Sequence, residues 1–359
     1  MKLRKIAARL GLAVLALLIF LVVAELAARW AEPGPLSLYD VSPYLKSERL
    51  VHVHEPGFRG RWDSTWYEIN SRGWRGPEVA PTFGPEELRI LALGDSCTFG
   101  KGVLEADCWP RQLETLIAAE LPVGRRVLVF NLGVNGYSSG HYQRLLEDWA
   151  QELKPHVVVI GYNINDFPNP VREVDAAVFG SPQQKLSWRA WFRRWMPKNA
   201  RDELNRSALY RYLRATYYDW NRARDYAQME AIARNRSLQQ DAGMDKAFAL
   251  EAERFRLVVD LASKAGAHVA FFLFPYESMV YLESFERGPE ERVRSLAAEV
   301  DVGFVDVPAA FRARAHQTTP PAKLFIRGDR YHPNAQGYAT VAQAIFERLR
   351  ELGWLEPKE

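Results

Sequence analysis

The chain has 359 residues, 48% of them apolar and 12% aromatic, which suits one large globular domain with an insertion, or two smaller domains, and is not the composition of a disordered polymer. Its 47 basic and 44 acidic side chains leave a formal net charge of +3, too small to imply a nucleic-acid partner for the whole molecule. The only cysteines, Cys97 and Cys108, are too few for a structural zinc site of about four ligands or for a disulfide framework, and neither a metal nor another cofactor is expected.

At the N-terminus, Lys2, Arg4, Lys5 and Arg9 precede an uninterrupted apolar run from Leu10 to Ala24, which resumes after Glu25 as Leu26, Ala27 and Ala28. A basic flank before an apolar core is the pattern of an export signal. The 15-residue run is itself short for a span. The stretch from Ile6 to Ala28 reaches the length of about 20 that is needed, with Arg9 and Glu25 snorkelling at its ends. Residues 1–31 therefore read as a membrane anchor or a signal peptide. The anchor is preferred, because no small-x-small cleavage site is followed at once by a polar mature start. The basic flank should stay cytoplasmic and the bulk of the chain should lie outside, in the periplasm or at the cell surface, or be secreted if the segment is cleaved.

Residues 32–87 are rich in Pro, Gly and aromatics, include the turn-like stretch Asn70 to Gly76, and are expected to form an extended lead-in with short strands. From residue 88 short apolar runs alternate with amphipathic stretches. The runs are Leu88 to Leu93, Val127 to Leu132, Val157 to Tyr162, Val269 to Phe274 and Val302 to Val307; the stretches lie near 109–120, 139–153, 245–265 and 334–352. This alternation predicts parallel βαβ units, hence a three-layer α/β sandwich with a five-stranded parallel sheet over 88–353. A helical insertion over 180–243 interrupts it. Between 185 and 236 this segment holds 13 Lys or Arg against 5 Asp or Glu, with ten aromatics. It reads either as a helical cap packed over the sheet or as a surface for anionic lipid or an acidic polymer. The separation of Cys97 from Cys108 fits a bridge or two buried thiols.

The run Leu88 to Leu93 leads straight into Gly94-Asp95-Ser96, so a serine sits where a parallel strand ends and a turn or helix begins, the place where α/β sheets put their ligands. A phosphate-binding loop is excluded by spacing, since five residues separate Gly94 from Gly100-Lys101 and no Ser or Thr follows. The Gly-x-Ser-x-Gly elbow is excluded by Thr98. At the far end stands Gly328-Asp329-Arg330-Tyr331-His332-Pro333-Asn334, just before the last helix. A histidine near neutral pH can take the proton of a serine when a carboxylate fixes its tautomer, and a three-residue turn can fold Asp329 onto His332. Two further strand ends bring Gly136, within Asn131 to Gly136, and Asn165, within Gly161 to Asp166. Their backbone N–H and side-chain amide are the kinds of donor an oxyanion hole needs.

The ordered set Gly94-Asp95-Ser96, Gly136, Asn165-Asp166 and Asp329-Arg330-Tyr331-His332 resembles the conserved blocks of the SGNH/GDSL hydrolase superfamily, over about residues 88–353. The resemblance implies a flavodoxin-like sandwich, with Ser96 as nucleophile, His332 as base and Asp329 as its orienting acid. It also implies an oxyanion hole made by Ser96 N–H, Gly136 N–H and the Asn165 side chain. Asn163 stands where the family's third block usually has glycine, with Gly161 two residues earlier, so an altered loop is expected there. The anchor and the Asn70 to Gly76 stretch resemble a membrane-tethered bacterial branch. The expected activity is hydrolysis of an acyl or acetyl ester, of a small molecule or of a cell-envelope glycan or lipid, through an acyl-serine. An O-acyltransferase using the same triad and serving envelope polysaccharide machinery is the alternative, and a non-catalytic glycan-binding or scaffold protein a second.

Overall fold

Strands that are apolar on both faces must be covered on both faces, and the core strands have this character. The computed structural model describes residues 2–31, 43–62, 65–80, 82–163, 207–210, 212–213, 216–217, 242–282 and 288–355. In chain order its elements are α1 (Lys2–Ala31), β1 (Tyr44–Ser47), β2 (Val51–His54), β3 (Arg59–Trp62), β4 (Thr65–Glu68), β5 (Glu87–Gly94), α2 (Ser96–Phe99), α3 (Trp109–Glu120), β6 (Arg126–Asn131), α4 (Ser139–Leu153), β7 (Val157–Tyr162), α5 (Ala242–Lys264), β8 (His268–Leu273), α6 (Glu277–Tyr281), α7 (Gly288–Glu299), β9 (Gly303–Val305), α8 (Val307–Ala315) and α9 (Ala335–Glu351).

The five strands β6-β5-β7-β8-β9 form one parallel sheet in that order. Side chains alternate across it: Leu88, Ile90 and Ala92 of β5 enter one layer, with Trp109, Leu113 and Ile117 of α3 and Tyr338, Val341 and Ile345 of α9. Leu91 and Leu93 enter the other, with Tyr142 and Leu146 of α4, Phe255 and Val258 of α5, and Val293 and Leu296 of α7. The result is the expected α/β/α sandwich. Its last strand is shorter than the apolar run Val302 to Val307 suggests. Asp306 ends it, since its Oδ1 accepts the N–H of Ala309 at 3.1 Å and starts α8 at Val307.

With β5 inside the sheet, the chain moves to one side for β6 and returns to the other for β7, so the connections leaving β5 and β7 diverge and open a crevice at their carboxyl ends. The lead-in forms two antiparallel hairpins, β1 with β2 and β3 with β4. Apart from the sandwich core, α1 has the length and composition to cross a membrane: within Arg4–Trp30 the most apolar 18-residue window has a mean hydropathy of 2.8, and none of that window is buried. Most of the basic, aromatic insertion expected over 180–243 lies outside the described residues.

One buried acid sits between α4 and α5, where Ser139 Oγ donates to Glu251 Oε2 at 3.0 Å. Burial pushes the Glu251 pKa up to about 7 from an ordinary 4.5, against the hydrogen bonds of Ser139 and Tyr162 and the charge of Arg254. The folded chain therefore keeps this proton between about 4.5 and 7 while the unfolded chain has lost it, so stability falls as pH rises through that window and levels off above it. Glu251→Gln should remove this component. Between pH 4.5 and 7.5 the wild type is expected to lose about 3 kcal/mol more unfolding free energy than the variant, measured by urea denaturation in detergent micelles.

Candidate active site

The strand-to-helix junction after β5 is shaped by close approach. A Cβ on Gly94 would lie 2.0 Å from Thr98 Oγ1, and one on Gly161, its register partner in β7, would lie 2.6 Å from the same atom. Only glycine at both positions lets Thr98 pack between the two strand ends. Gly161 thus serves this packing, and the position of the missing family glycine is filled by Asn163, which is buried and donates from Nδ2 to Cys97 Sγ at 3.5 Å. Asp95 caps the short helix α2, its Oδ1 accepting the N–H of Cys97 at 2.8 Å, and this fixes Ser96 as the first helical residue.

The structure brings Ser96, His332 and Asp329 together. His332 Nε2 lies 2.8 Å from Ser96 Oγ, and His332 Nδ1 lies 2.7 Å from Asp329 Oδ2. The carboxylate accepts, so Nδ1 carries the proton and Nε2 is left to accept the serine O–H. Asp329 Oδ1 accepts two further bonds, from the N–H of Tyr331 at 2.9 Å and of His332 at 3.1 Å. Burial opposes ionisation of Asp329, but the hydrogen bond and charge of His332 and these two N–H groups outweigh it and hold its pKa below the ordinary value. Asp95 Oδ2 is a second neighbour of Ser96 Oγ, at the longer distance of 3.4 Å.

The loop carrying Gly136 runs beside this turn: Leu132 and Val134 donate their N–H groups to the carbonyls of Ala92 and Gly94 at 3.0 and 3.2 Å. Gly136 has φ +78, which favours glycine, and the space beside its Cα is open. Two histidines that the sequence leaves without a role brace the loop. His52 Nε2 donates to the Asn135 carbonyl at 2.9 Å, and Tyr137 Oη returns a bond to the His52 carbonyl at 2.6 Å. His141 stacks on Tyr137 at 4.4 Å, and burial, with the charges of Arg144 and His52, lowers its pKa to about 4, so it is neutral near pH 7. Asn165 and Asp166 lie outside the described residues.

The residue that the sequence gives least hint of is Arg75. It is 3% exposed, and its Nη1 donates to the carbonyls of Phe99 and Gly100 and its Nη2 to that of Val103, each at 2.6 Å. Its guanidinium also lies 4.7 Å from the Tyr67 ring and 4.9 Å from the Phe99 ring. Arg75 therefore clamps the carboxyl end of α2, the helix that begins with Ser96. Its only trace in the sequence is an arginine in the turn-like stretch Asn70 to Gly76. Cys97 and Cys108 are both free and buried, and burial raises the pKa of Cys108. No group of three or more His, Cys, Asp or Glu able to hold a metal occurs among the described residues.

Residues 92–340 match the model of the GDSL-like Lipase/Acylhydrolase family. The chain belongs to this family and is an esterase or acylhydrolase of GDSL type. No curated protein matches it at a significant level. Among solved structures it is similar to TesA, at 15% identity and a TM-score of 0.40 over 74% of this chain and 99% of that one. It is similar too to LAE5, an alpha/beta hydrolase enzyme from the metagenome of Lake Arreo, Spain, at 18% identity and a TM-score of 0.42 over 75% of this chain and 96% of that one. A third is Axe2, an acetylxylan esterase from Geobacillus stearothermophilus, at 17% identity and a TM-score of 0.40 over 76% of this chain and 97% of that one.

Removing the Arg75 clamp leaves three buried carbonyls without their charged donor. Arg75→Met is expected to destabilise the fold by about 2–3 kcal/mol and to lower kcat on p-nitrophenyl acetate by about ten-fold, read by thermal denaturation and steady-state kinetics.

Proposed function

We propose that the chain hydrolyses acyl or acetyl esters of a cell-envelope glycan or lipid through an acyl-serine intermediate, with Ser96 as nucleophile, His332 as general base and Asp329 as its orienting carboxylate. The observation that supports this most is the unbroken hydrogen-bonded line from Asp329 through His332 to Ser96 Oγ, at 2.7 and 2.8 Å. In the first step Ser96 Oγ bonds to the ester carbonyl carbon while its proton passes to His332 Nε2. The C=O electron pair moves to oxygen, and the tetrahedral oxyanion is held by the N–H groups of Ser96 and Gly136 and the side chain of Asn165. Collapse breaks the bond to the alcohol, which leaves with the proton from His332. Water then attacks the acyl-serine with His332 again as base, releasing the acid and restoring the serine.

The length and apolar character of α1 support an anchored enzyme with its catalytic domain on the outer side of the membrane, where envelope esters lie. The activity is tested with the full chain in detergent on p-nitrophenyl esters from acetate to decanoate. Ser96→Ala is expected to lose at least about 10⁴ in kcat, and Asp329→Asn about 10³ to 10⁴, because an amide at that position disfavours the tautomer Ser96 needs. Full turnover by Ser96→Ala would contradict the reading.

A further inference from the structure

Between α1 and the catalytic loop lies a stretch whose described residues 208–210, 212–213 and 216–217 are helical and which takes no part in the chemistry above. Its start is held by α1: Glu25 accepts Ser207 Oγ at 2.7 Å and the N–H groups of Ala208 and Leu209 at 3.0 Å each, while also pairing with Arg29 Nε at 2.8 Å. A carboxylate from one element thus caps the beginning of another. The far end touches the catalytic loop, where Arg327 Nη2 donates to Thr216 Oγ1 at 3.2 Å and its guanidinium lies 5.0 Å from the Tyr212 ring. Arg327 is two residues before Asp329. The described residues of this stretch thus touch both the exit end of α1 and the catalytic loop.

Its outward residues have a composition that water alone does not explain. Tyr210, Leu213 and Tyr217 have the i, i+3 and i+7 spacing of one helix face, and they are 36%, 57% and 41% exposed. Tyr331, beside His332, is 42% exposed. Arg206, Arg211 and Arg214 are interleaved in the sequence. Tyrosines with arginines suit the polar-apolar boundary of a bilayer with anionic headgroups. The patch begins just after the residues that Glu25 of α1 caps, and Trp30, five residues beyond Glu25, is 87% exposed.

We propose that the Tyr210, Leu213 and Tyr217 face lies in the headgroup layer of the anionic phospholipid bilayer that holds α1, so that the Ser96 site is turned toward that surface and takes esters carried by the membrane. This rests on the reading of α1 as an anchor. The full chain is reconstituted in vesicles containing phosphatidylglycerol and a headgroup-spin-labelled lipid, with a nitrobenzoxadiazole label on Leu213→Cys or, independently, on Tyr217→Cys. Cys97 and Cys108 are buried and stay unlabelled. Labels on Trp30→Cys and Val123→Cys serve as controls, the latter because Val123 precedes β6 at the opposite edge of the sheet.

Quenching of about two-fold or more at 213 and 217, with none at 123, is the expected result. No quenching at 213 and 217 while Trp30→Cys is quenched would overturn the proposal and leave the anchor intact. Vesicles that float without the protein would remove the anchor reading and the proposal with it. As a second measurement, Leu213→Glu with Tyr217→Glu should lower turnover of a vesicle-embedded ester by about ten-fold and leave p-nitrophenyl acetate turnover unchanged. Equal loss on both substrates would overturn it.

Discussion

The hydrogen bond of 2.8 Å between His332 Nε2 and Ser96 Oγ joins two loops 236 residues apart, and much of the fold can be understood by what holds those loops in register. Each adjoins an element anchored in the same apolar layer. β5 delivers Ser96, while α9, which follows His332, packs Tyr338, Val341 and Ile345 against that layer. A parallel sheet puts all its carboxyl ends on one edge, so a serine after β5 and a histidine before α9 meet without any long excursion. The three-residue turn from Asp329 to His332 then supplies the carboxylate locally, through a side-chain bond and two backbone N–H bonds to the same group.

Support for the Ser96 turn comes from the lead-in as well as from the sandwich. Arg75 gives three buried carbonyls at the end of α2 their donors, and Tyr67 Oη accepts the N–H of Gly102 at 2.8 Å just beyond. His52, also from the lead-in, holds the carbonyl next to Gly136. A segment that reads as an irregular connection is therefore a scaffold under both the Ser96 turn and the neighbouring loop. Side-chain donors to backbone carbonyls suit this task, because they fix the backbone geometry of both loops.

The layered architecture was legible because burial on both faces leaves continuous apolar runs, and four of the five runs coincide with β5, β6, β7 and β8 to within a residue or two. The helices α3, α4 and α9 were legible from their amphipathic spacing. That Ser96, Asp329 and His332 come together could be anticipated because each stands at an element boundary in a recognisable local motif. Arg75 and His52 could not, since their partners are backbone carbonyls 24 to 28 and 83 residues away and leave no pattern in the chain. The same holds for Cys97 and Cys108, whose state as buried free thiols depends on distances that spacing does not encode. Glu25 reads as the charged end of an apolar run, and its capping of Ser207, Ala208 and Leu209 is a tertiary contact across 182 to 184 residues.

The proposed activation of Ser96 is tested most directly by reacting the folded full-length protein with a fluorophosphonate and mapping the adduct by peptide mass spectrometry. A single phosphonyl group on Ser96, lost in His332→Ala, is the expected result, since only a serine whose proton can pass to Nε2 reacts readily. A well-folded wild type that stays unmodified, or that is modified at a different residue, would contradict it.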